Sequence, residues 1–313
     1  MIGKVLKSTG KLYSVLHENT LYSCRIRGKI RLQGLKTTNP VAVGDEVDFE
    51  VTDQDLNQGV IKDVMPRHNY IVRKSINLSK QKHILASNVD RAYLLVTLVA
   101  PETHLAFIDR FLVSAESFRI PVTLLFNKMD MYFEEHLPLV DAMIEKYEKI
   151  GYTCQKISAL KEENVQFLRD EIAGKQVMIA GHSGVGKSTL VNALDDNLDI
   201  KTNEISATHL QGQHTTTFAE MHPLKSGGFI IDTPGIRAFG IVELEKEHIS
   251  HYFPEMRERL NHCKFNNCLH QNEPQCAVKE AVENGEIAES RYINYLSLIT
   301  DDEDDHFRKS IFG

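Results

Sequence analysis

Residues 177–190 read VMIAGHSGVGKSTL, an apolar run followed by a glycine-rich loop and the start of a helical pattern. The loop at 181–188 fits the pattern G-x-x-x-x-G-K-S. Glycines let the backbone wrap around a phosphate with its N–H groups pointing inward, and the helix N-terminus that follows adds a favourable dipole. In such a loop Lys187 reaches the β and γ phosphates and Ser188 ligates Mg²⁺. The stretch therefore predicts a phosphate-binding loop between a strand and a helix.

The chain around this loop alternates between two kinds of pattern. Helical patterns such as 106–117 and 137–150 separate short apolar runs at 92–99, 122–126, 154–157, 177–180 and 229–231. Alternation of this kind builds a mostly parallel, doubly wound sheet with ligands at the carboxyl ends of its strands. We therefore predict an α/β domain over residues 89–241.

A base-selecting motif follows the run at 122–126. Asn127, Lys128, Met129 and Asp130 stand directly after it. The carboxylate of Asp130 can accept both the N1–H and the exocyclic amino group of guanine, a pairing that adenine does not offer. Asn127 would buttress the loop and the stem of Lys128 would cover the ring face. The motif predicts guanine specificity.

Further polar residues follow the remaining strands. Ser158 and Ala159 stand after the run at 154–157 and would offer a backbone N–H to the guanine carbonyl. Asp232, after the run at 229–231, would hold Mg²⁺ through water, and Gly235 would donate its N–H to the γ phosphate. The segment 212–217 reads GQHTTT and would supply a switch threonine that completes the Mg²⁺ shell; Thr216 and Thr217 both fit, and the choice between them stays open.

These motifs together define the predicted nucleotide site. Its members are Asn127, Lys128, Asp130, Ser158, Ala159, Gly181, Ser183, Gly184, Val185, Gly186, Lys187, Ser188, Thr189, Thr216, Thr217, Asp232 and Gly235. Mg²⁺ is assigned to Ser188 and Thr216, with Thr217 as the alternative to Thr216. The order is unusual, because small G proteins place the phosphate loop before the guanine motif. Each motif still follows its own strand, so relocating the chain termini preserves the site. We predict a circularly permuted P-loop GTPase domain.

The first seventy residues have a β pattern. Short alternating runs at 3–6, 12–16, 21–32, 46–51 and 59–64 are separated by turn residues. Five short strands favour an OB-type barrel. Along the run 21–32, four cations alternate with apolar residues and share one strand face: Arg25, Arg27, Lys29 and Arg31. An unopposed basic row of this kind is typical of a surface that contacts a nucleic-acid backbone.

Composition indicates a globular protein, and charge divides the chain into a basic amino-terminal part and a longer acidic part. Hydrophobic residues make up 42% of the 313, which excludes predominant disorder. Residues 1–82 carry 14 Lys and Arg against 8 Asp and Glu, so the rest carries 22 against 35 and ends in the acidic run 301–305. No apolar run approaches the roughly 18 residues of a membrane span, and the first residues do not form a secretory signal. We expect a cytoplasmic monomer with no membrane association.

Three of the five cysteines crowd together near the carboxyl end. Cys263, Cys268 and Cys276 lie within fourteen residues of chain that also hold His270. Three thiolates and an imidazole form a closed tetrahedral set suited to one structural Zn²⁺ with no position left for a catalytic water. We predict that zinc stiffens a helical region at 242–313 that is poor in apolar residues. The polar stretch 71–88 is interpreted as a linker, or an excursion between the barrel at 1–70 and the α/β domain.

The permuted motif order, the preceding barrel, the G-x-H-T-T-T segment and the Cys/His cluster together resemble the RsgA family of circularly permuted GTPases. The resemblance implies a GTPase that binds the small (30S) ribosomal subunit and its 16S rRNA late in assembly, is stimulated there, and leaves after turnover. It also implies that His214 is catalytic, since Ile236 stands where Gln orients water in other G proteins. Gln213 occupies a position where the family usually has Arg.

Two other functions are compatible with a phosphate loop. The chain could be an RNA-binding assembly module that uses guanine nucleotide only as a conformational ligand. A small-molecule kinase with a phosphate loop is disfavoured by the guanine motif at 127–130.

Overall fold

The structure, a computed structural model, describes residues 1–28, 39–74, 82–195, 198, 219–232 and 244–300. Several predicted site residues lie outside these ranges: Lys29, Arg31, Gln213, His214, Thr216, Thr217 and Gly235. Within the described residues no helix is long and apolar enough to cross a membrane.

The amino-terminal strands close into a barrel. They are β1 (Ile2–Ser8), β2 (Tyr13–His17), β3 (Thr20–Ile26), β4 (Glu46–Asp53) and β5 (Gln58–Val64). Antiparallel pairs join β1 to β2, β2 to β3, β4 to β5 and β1 to β4, and a parallel pair joins β3 to β5. Val5, Val15 and Phe49 have no exposed surface and fill the interior. The predicted five-stranded barrel is confirmed.

Strand β3 is shorter than the alternating pattern predicts. It ends at Ile26, although the pattern extends to residue 32. The predicted alternation holds within the strand, where Cys24 is fully buried and Arg25 is exposed. Gly28 has a left-handed φ of 67°. Glycine adopts this conformation at little cost, and it turns the chain out of the extended path.

A two-stranded hairpin occupies much of the predicted linker. Strand β6 (Tyr70–Lys74) pairs with β7 (Lys82–Ser87) in antiparallel register. The Asn39 side chain bonds both backbone groups of Ile84, at 2.7 and 2.9 Å. Val72 and Ile84 are buried, so the few apolar residues of this polar stretch contribute to the core. The described part of 71–88 is therefore a packed element and not a free connection.

The α/β domain has a sheet with the order β10-β9-β8-β11-β13-β12. Its elements in chain order are β8 (Arg91–Val96), α1 (Leu105–Ser117), β9 (Val122–Phe126), α2 (Leu137–Ile150), β10 (Thr153–Lys156), α3 (Glu162–Ile172), β11 (Gln176–Ala180), α4 (Lys187–Leu194), β12 (Glu220–Pro223) and β13 (Phe229–Asp232). Neighbouring strands from β10 to β13 are parallel, and β12 is antiparallel to β13. The predicted doubly wound sheet is confirmed.

The two faces of this sheet belong to separate cores. Along β8, Leu94 packs with residues of α1 and α2, such as Phe111, while Leu95 packs with residues of α3 and α4, such as Leu168. This alternation follows from the two-residue side-chain period of a strand. Because helices cover both faces, the carboxyl ends of the parallel strands remain the open edge for a ligand.

The barrel continues the sheet. Strand β12 pairs with β1 through Lys7 and Glu220, whose side chains form an ion pair at 2.9 Å. Lys4 lies over the ring of Phe229, 4.8 Å from its centre. The barrel is thus joined to the α/β domain by strand pairing as well as by side chains.

The last described region is helical and is attached by a buried ion-pair network. It contains α5 (Lys246–Ile249), α6 (Pro254–Arg257), α7 (Ala277–Glu283) and α8 (Glu289–Thr300). Arg291 of α8 has no exposed surface and donates to Asp109 of α1 at 2.8 Å and to Glu255 of α6 at 2.7 Å. Tyr147 of α2 also donates to Asp109, at 2.9 Å. Removing one partner of such a network typically costs about 3–5 kcal/mol, because a buried charge is left unpaired.

Candidate nucleotide site and metal cluster

The phosphate loop connects β11 to α4. Gly181, Gly184 and Gly186 have φ values of 141°, 85° and 100°, which L side chains rarely adopt. Helix α4 begins at Lys187, whose Nζ donates to the His182 carbonyl at 2.7 Å. The last residue of the loop thus contacts its beginning, and the loop lies at the amino-terminal end of a helix. This is the arrangement that binds phosphate.

Asn127 joins three of the predicted motifs. Its Nδ2 donates to the carbonyl of Val185 in the phosphate loop at 2.8 Å, and its Oδ1 accepts the backbone N–H of Ala159 at 3.1 Å. The side chain is only 1% exposed. One buried amide therefore links the guanine motif, the 158–159 loop and the phosphate loop into a single site, although they are far apart in sequence.

The predicted base-recognition residues are oriented by a second set of hydrogen bonds. The Ser158 hydroxyl donates to Oδ1 of Asp130 at 2.5 Å, and Asn164 Oδ1 accepts the backbone N–H of Ser158 at 2.9 Å. Ser158 is buried, whereas Asp130 is exposed. The sequence predicts a backbone role at 158–159. It gives no signal for the hydroxyl bond or for Asn164, which belongs to α3.

A segment between β8 and α1 lies against both loops, and the sequence did not indicate it. Lys128 has a left-handed φ of 65°, and its Nζ donates to the carbonyl of Ala100 in this segment. A Cβ on Gly184 would lie 3.2 Å from the ring of Pro101. Thr103 bonds to His182 of the phosphate loop at 2.7 Å. Residues 97–104 therefore contact both the predicted guanine motif at 127–130 and the phosphate loop.

Gly186 is expected to tolerate no side chain. An added Cβ would lie 2.5 Å from Nδ2 of Asn127, and the φ of 100° would strain any other residue. Gly186→Ala should therefore break the Asn127–Val185 contact and weaken GDP binding by at least about tenfold, the equivalent of about 1.4 kcal/mol. Fluorescence titration with a labelled GDP measures this loss of affinity. Gly174→Ala, with a left-handed φ of 75° but open space around it, is the matched control and should keep its affinity.

The predicted magnesium residues follow neighbouring parallel strands. Ser188 lies in the first turn of α4, and Asp232 is the last residue of β13, which pairs with β11 through Met178 and Ile231. Both residues therefore stand at the same edge of the sheet. A serine hydroxyl and an aspartate carboxylate are residue types whose oxygens Mg²⁺ prefers.

The four predicted zinc ligands come together. The ligand atoms of Cys263, Cys268, His270 and Cys276 all lie within 4.8 Å of one another. His270 Nδ1 is 3.3 Å from the Cys276 sulfur and 3.7 Å from that of Cys263. Desolvation raises the pKa of the Cys268 thiol, because a desolvated thiolate is costly without a cation. Three sulfurs and one nitrogen around a common point fit Zn²⁺, which would stabilise the thiolates.

The cluster loop is held by residues that its spacing does not reveal. Tyr292 and Tyr295 of α8 donate to the carbonyls of His270 and Leu269 at 2.6 and 2.8 Å. The Glu273 carboxylate accepts the N–H groups of Leu269 and Gln271, both at 2.8 Å. These bonds support the left-handed backbone of His270, whose φ is 56°. The loop is therefore shaped by α8 in addition to any metal.

Of the four residues in the predicted basic row, two lie within the described part of the chain. Arg25 on β3 and Arg27 just after it are both exposed. The backbone N–H of Arg27 bonds the Ile61 carbonyl at 3.0 Å, which ties this end of the row to β5. These two guanidinium groups are accessible at the surface of the barrel.

Strand order and site geometry together define a class of protein, a P-loop guanine-nucleotide-binding protein with a circularly permuted motif order. Family models agree: RsgA GTPase matches residues 64–242, and RsgA N-terminal domain matches residues 2–61. The chain belongs to the RsgA GTPase family.

Similar proteins and structures cover the chain almost completely. Two proteins named small ribosomal subunit biogenesis GTPase RsgA are 54% identical (Christiangramia forsetii, 98% of each chain covered) and 51% identical (Bacteroides fragilis strain YCH46, 98% of this chain and 99% of the relative). The crystal structure of YjeQ from Thermotoga maritima has a TM-score of 0.76 at 37% identity, covering 95% of this chain and 96% of that one. YloQ, described as a circularly permuted GTPase, has a TM-score of 0.73 at 32% identity, covering 96% and 93%.

Proposed function

We propose that this chain hydrolyses GTP with Mg²⁺ in late maturation of the small ribosomal subunit, binds that subunit through rRNA, and leaves after turnover. The observation that carries the nucleotide part is the Asn127 junction, which brings the guanine motif against the phosphate loop. The ribosomal part is supported by the names of relatives that match the chain over nearly its whole length.

The roles of the individual site residues belong to this proposal. Asp130 selects guanine, the phosphate loop and Lys187 hold the phosphates, and Ser188 with Thr216 or Thr217 holds Mg²⁺. The exposed Asp130 carboxylate, which the Ser158 hydroxyl holds in place, supports the first role, and the left-handed glycines support the second. Zn²⁺ at the cluster of 263–276 is structural, because all four donors come from the protein.

We further propose that the barrel contacts 16S rRNA. Exposed Arg25 and Arg27 support this contact, and Lys29 and Arg31 would extend it. A cytoplasmic monomer with domains at 1–70, 89–241 and 242–313 is part of the same proposal, and the hairpin at 70–87 would join the first two.

Cosedimentation with purified subunits tests the ribosomal role. The full chain should sediment with small subunits in a non-hydrolysable GTP analogue, less so in GDP, and not with large subunits. Small subunits should also raise the GTP turnover rate. Nucleotide-dependent sedimentation without any GTP turnover would support the alternative, an RNA-binding module that uses the nucleotide only as a switch. Sedimentation with neither subunit would contradict the ribosomal role.

His214→Ala tests the proposed catalytic residue. The chain has Ile236 after the D-x-x-G motif, which cannot orient a water molecule, so an imidazole at 214 is assigned that task. We expect unchanged GDP affinity and a loss of roughly 100-fold in subunit-stimulated turnover. His222→Ala, a histidine of β12, serves as the control and should retain stimulation. A normal stimulated rate in His214→Ala would remove this residue from the mechanism.

A further inference from the structure

The segment between β8 and α1 is internally fixed by three hydrogen bonds. The backbone N–H of Thr97 donates to the Thr103 hydroxyl oxygen at 3.0 Å, and the N–H of Thr103 donates to the Thr97 carbonyl at 2.7 Å. The Thr97 hydroxyl donates to the Pro101 carbonyl at 2.5 Å. Thr97 is fully buried and Thr103 is 4% exposed. The Thr103 hydroxyl therefore has a defined position beside the phosphate loop.

That hydroxyl contacts the histidine of the phosphate loop. Thr103 Oγ1 lies 2.7 Å from Nε2 of His182, and His182 Nδ1 lies 3.2 Å from the Ser183 carbonyl. Thr103 already accepts the Thr97 N–H, and its own proton is available to donate to Nε2. The Ser183 carbonyl can only accept, so Nδ1 carries the ring proton. These contacts select one neutral tautomer.

The surroundings of His182 favour that neutral ring. Burial lowers the pKa of His182, and electrostatic interactions with Lys187, His104 and Lys128 lower it further, while the bond to Ser183 acts in the opposite direction. The edge of the Phe107 ring packs against the imidazole, with 5.7 Å between ring centres. The imidazole is thus held on two sides by residues outside the phosphate loop.

The backbone next to this ring is part of the phosphate site. The His182 carbonyl accepts a hydrogen bond from Lys187 Nζ, and the Ser183 carbonyl accepts one from the ring. We propose that Thr103 is a positioning residue for the phosphate loop, because its hydroxyl fixes the His182 imidazole and so the backbone that receives the phosphates. The inference rests on the proposed nucleotide site and extends it to a residue 79 positions away in sequence.

Removal of the hydroxyl tests the inference. Thr103→Val keeps the side-chain shape and removes both hydrogen bonds, whereas Thr103→Ser keeps the hydroxyl. Calorimetry with GDP and Mg²⁺ should give about tenfold weaker binding for the valine variant and a change of less than about twofold for the serine variant. The matched control is Thr123→Val, a buried threonine of β9 that accepts a bond from Arg91 at 2.8 Å away from the loop. It should lower the melting temperature without changing GDP affinity.

A double-variant cycle and the histidine signal separate positioning from a general loss of stability. His182→Phe removes both ring nitrogens, and adding it to Thr103→Val should cause little further loss, because the two side chains act through one contact. In wild type and Thr103→Ser, the imidazole ¹⁵N shifts of His182 should report the Nδ1–H tautomer, and in Thr103→Val they should shift toward a tautomer mixture. The His182 resonance is identified by its disappearance in His182→Phe.

The outcomes are distinct. Wild-type GDP affinity in a folded Thr103→Val variant, or additive losses in the double variant, would overturn the positioning role alone. If Thr103→Val does not fold, the question is still decided by His182→Phe, which should lose GDP affinity to a similar extent, and by the ¹⁵N shifts of the wild type and Thr103→Ser; wild-type affinity in His182→Phe would overturn the role. Absence of GDP binding by the wild-type chain would instead contradict the proposed nucleotide site.

Discussion

Asp130→Asn is expected to lower GTP affinity by at least about a hundredfold while raising affinity for xanthine nucleotides. In the proposed complex the carboxylate would accept two guanine N–H groups, and an amide would place an N–H donor against one of them. Xanthine carries a carbonyl oxygen where guanine has its amino group, so it can accept from that amide. Because the asparagine oxygen can still accept from Ser158, the loop should keep its conformation. Competition titrations with GDP and XDP measure the change.

The control for this prediction is Asp170→Asn. Asp170 is an exposed residue of α3 that accepts a hydrogen bond from Gln166 at 2.9 Å and is not part of the nucleotide site. Asp170→Asn changes the net charge of the protein by the same amount as Asp130→Asn. An Asp130→Asn variant that binds GDP as the wild type does would contradict the assignment of this carboxylate to the base.

Loss of the metal is expected to unfold the carboxyl-terminal helical region selectively. Structural zinc contributes about 10–16 kcal/mol of binding free energy in small zinc domains. Cys276→Ser, or treatment of the wild type with a strong chelator, should remove bound zinc and expose residues 244–300 to hydrogen exchange. The nucleotide site should be affected far less, because its described residues come from the α/β domain.

Cys154→Ser is the matched control for the metal-site variant Cys276→Ser. Cys154 is a half-buried free cysteine on β10, well separated in sequence from the cluster. Its replacement should leave zinc content and exchange protection unchanged. Full zinc content in Cys276→Ser, or unaltered protection of 244–300 after zinc is removed, would show that the cluster is not a structural metal site.

The sequence predicts best those parts of the site that are local in the chain. The phosphate loop, the guanine motif at 127–130 and the Cys/His cluster each occupy a short stretch, so residue types and spacing specify them directly. The barrel and the doubly wound sheet follow from side-chain periods of two and 3.6 residues, which the sequence displays openly. These predictions need no knowledge of which segments meet in space.

Contacts between distant segments could not be predicted in this way. The Thr103–His182 bond and the burial of Arg291 against Asp109 depend on the packing of elements far apart in sequence. The hairpin in the predicted linker was hidden for a related reason. Its polar composition resembles a free connection, but Asn39 and a few apolar residues anchor it to the core. Strand β3 ends before the alternating sequence pattern does, because the left-handed backbone conformation of Gly28 does not fit an extended strand.

Calorimetry with purified full-length chain and Mg²⁺ tests the central claim most directly, namely that the permuted motifs form one guanine-specific nucleotide pocket. Titrations with GDP, a non-hydrolysable GTP analogue and the corresponding ATP analogue should give one guanine nucleotide bound per chain. The ATP analogue should bind at least about a hundredfold more weakly, because adenine lacks the two donors that Asp130 is proposed to accept from guanine. Equal affinity for the adenine and guanine analogues, or binding of neither, would contradict the claim.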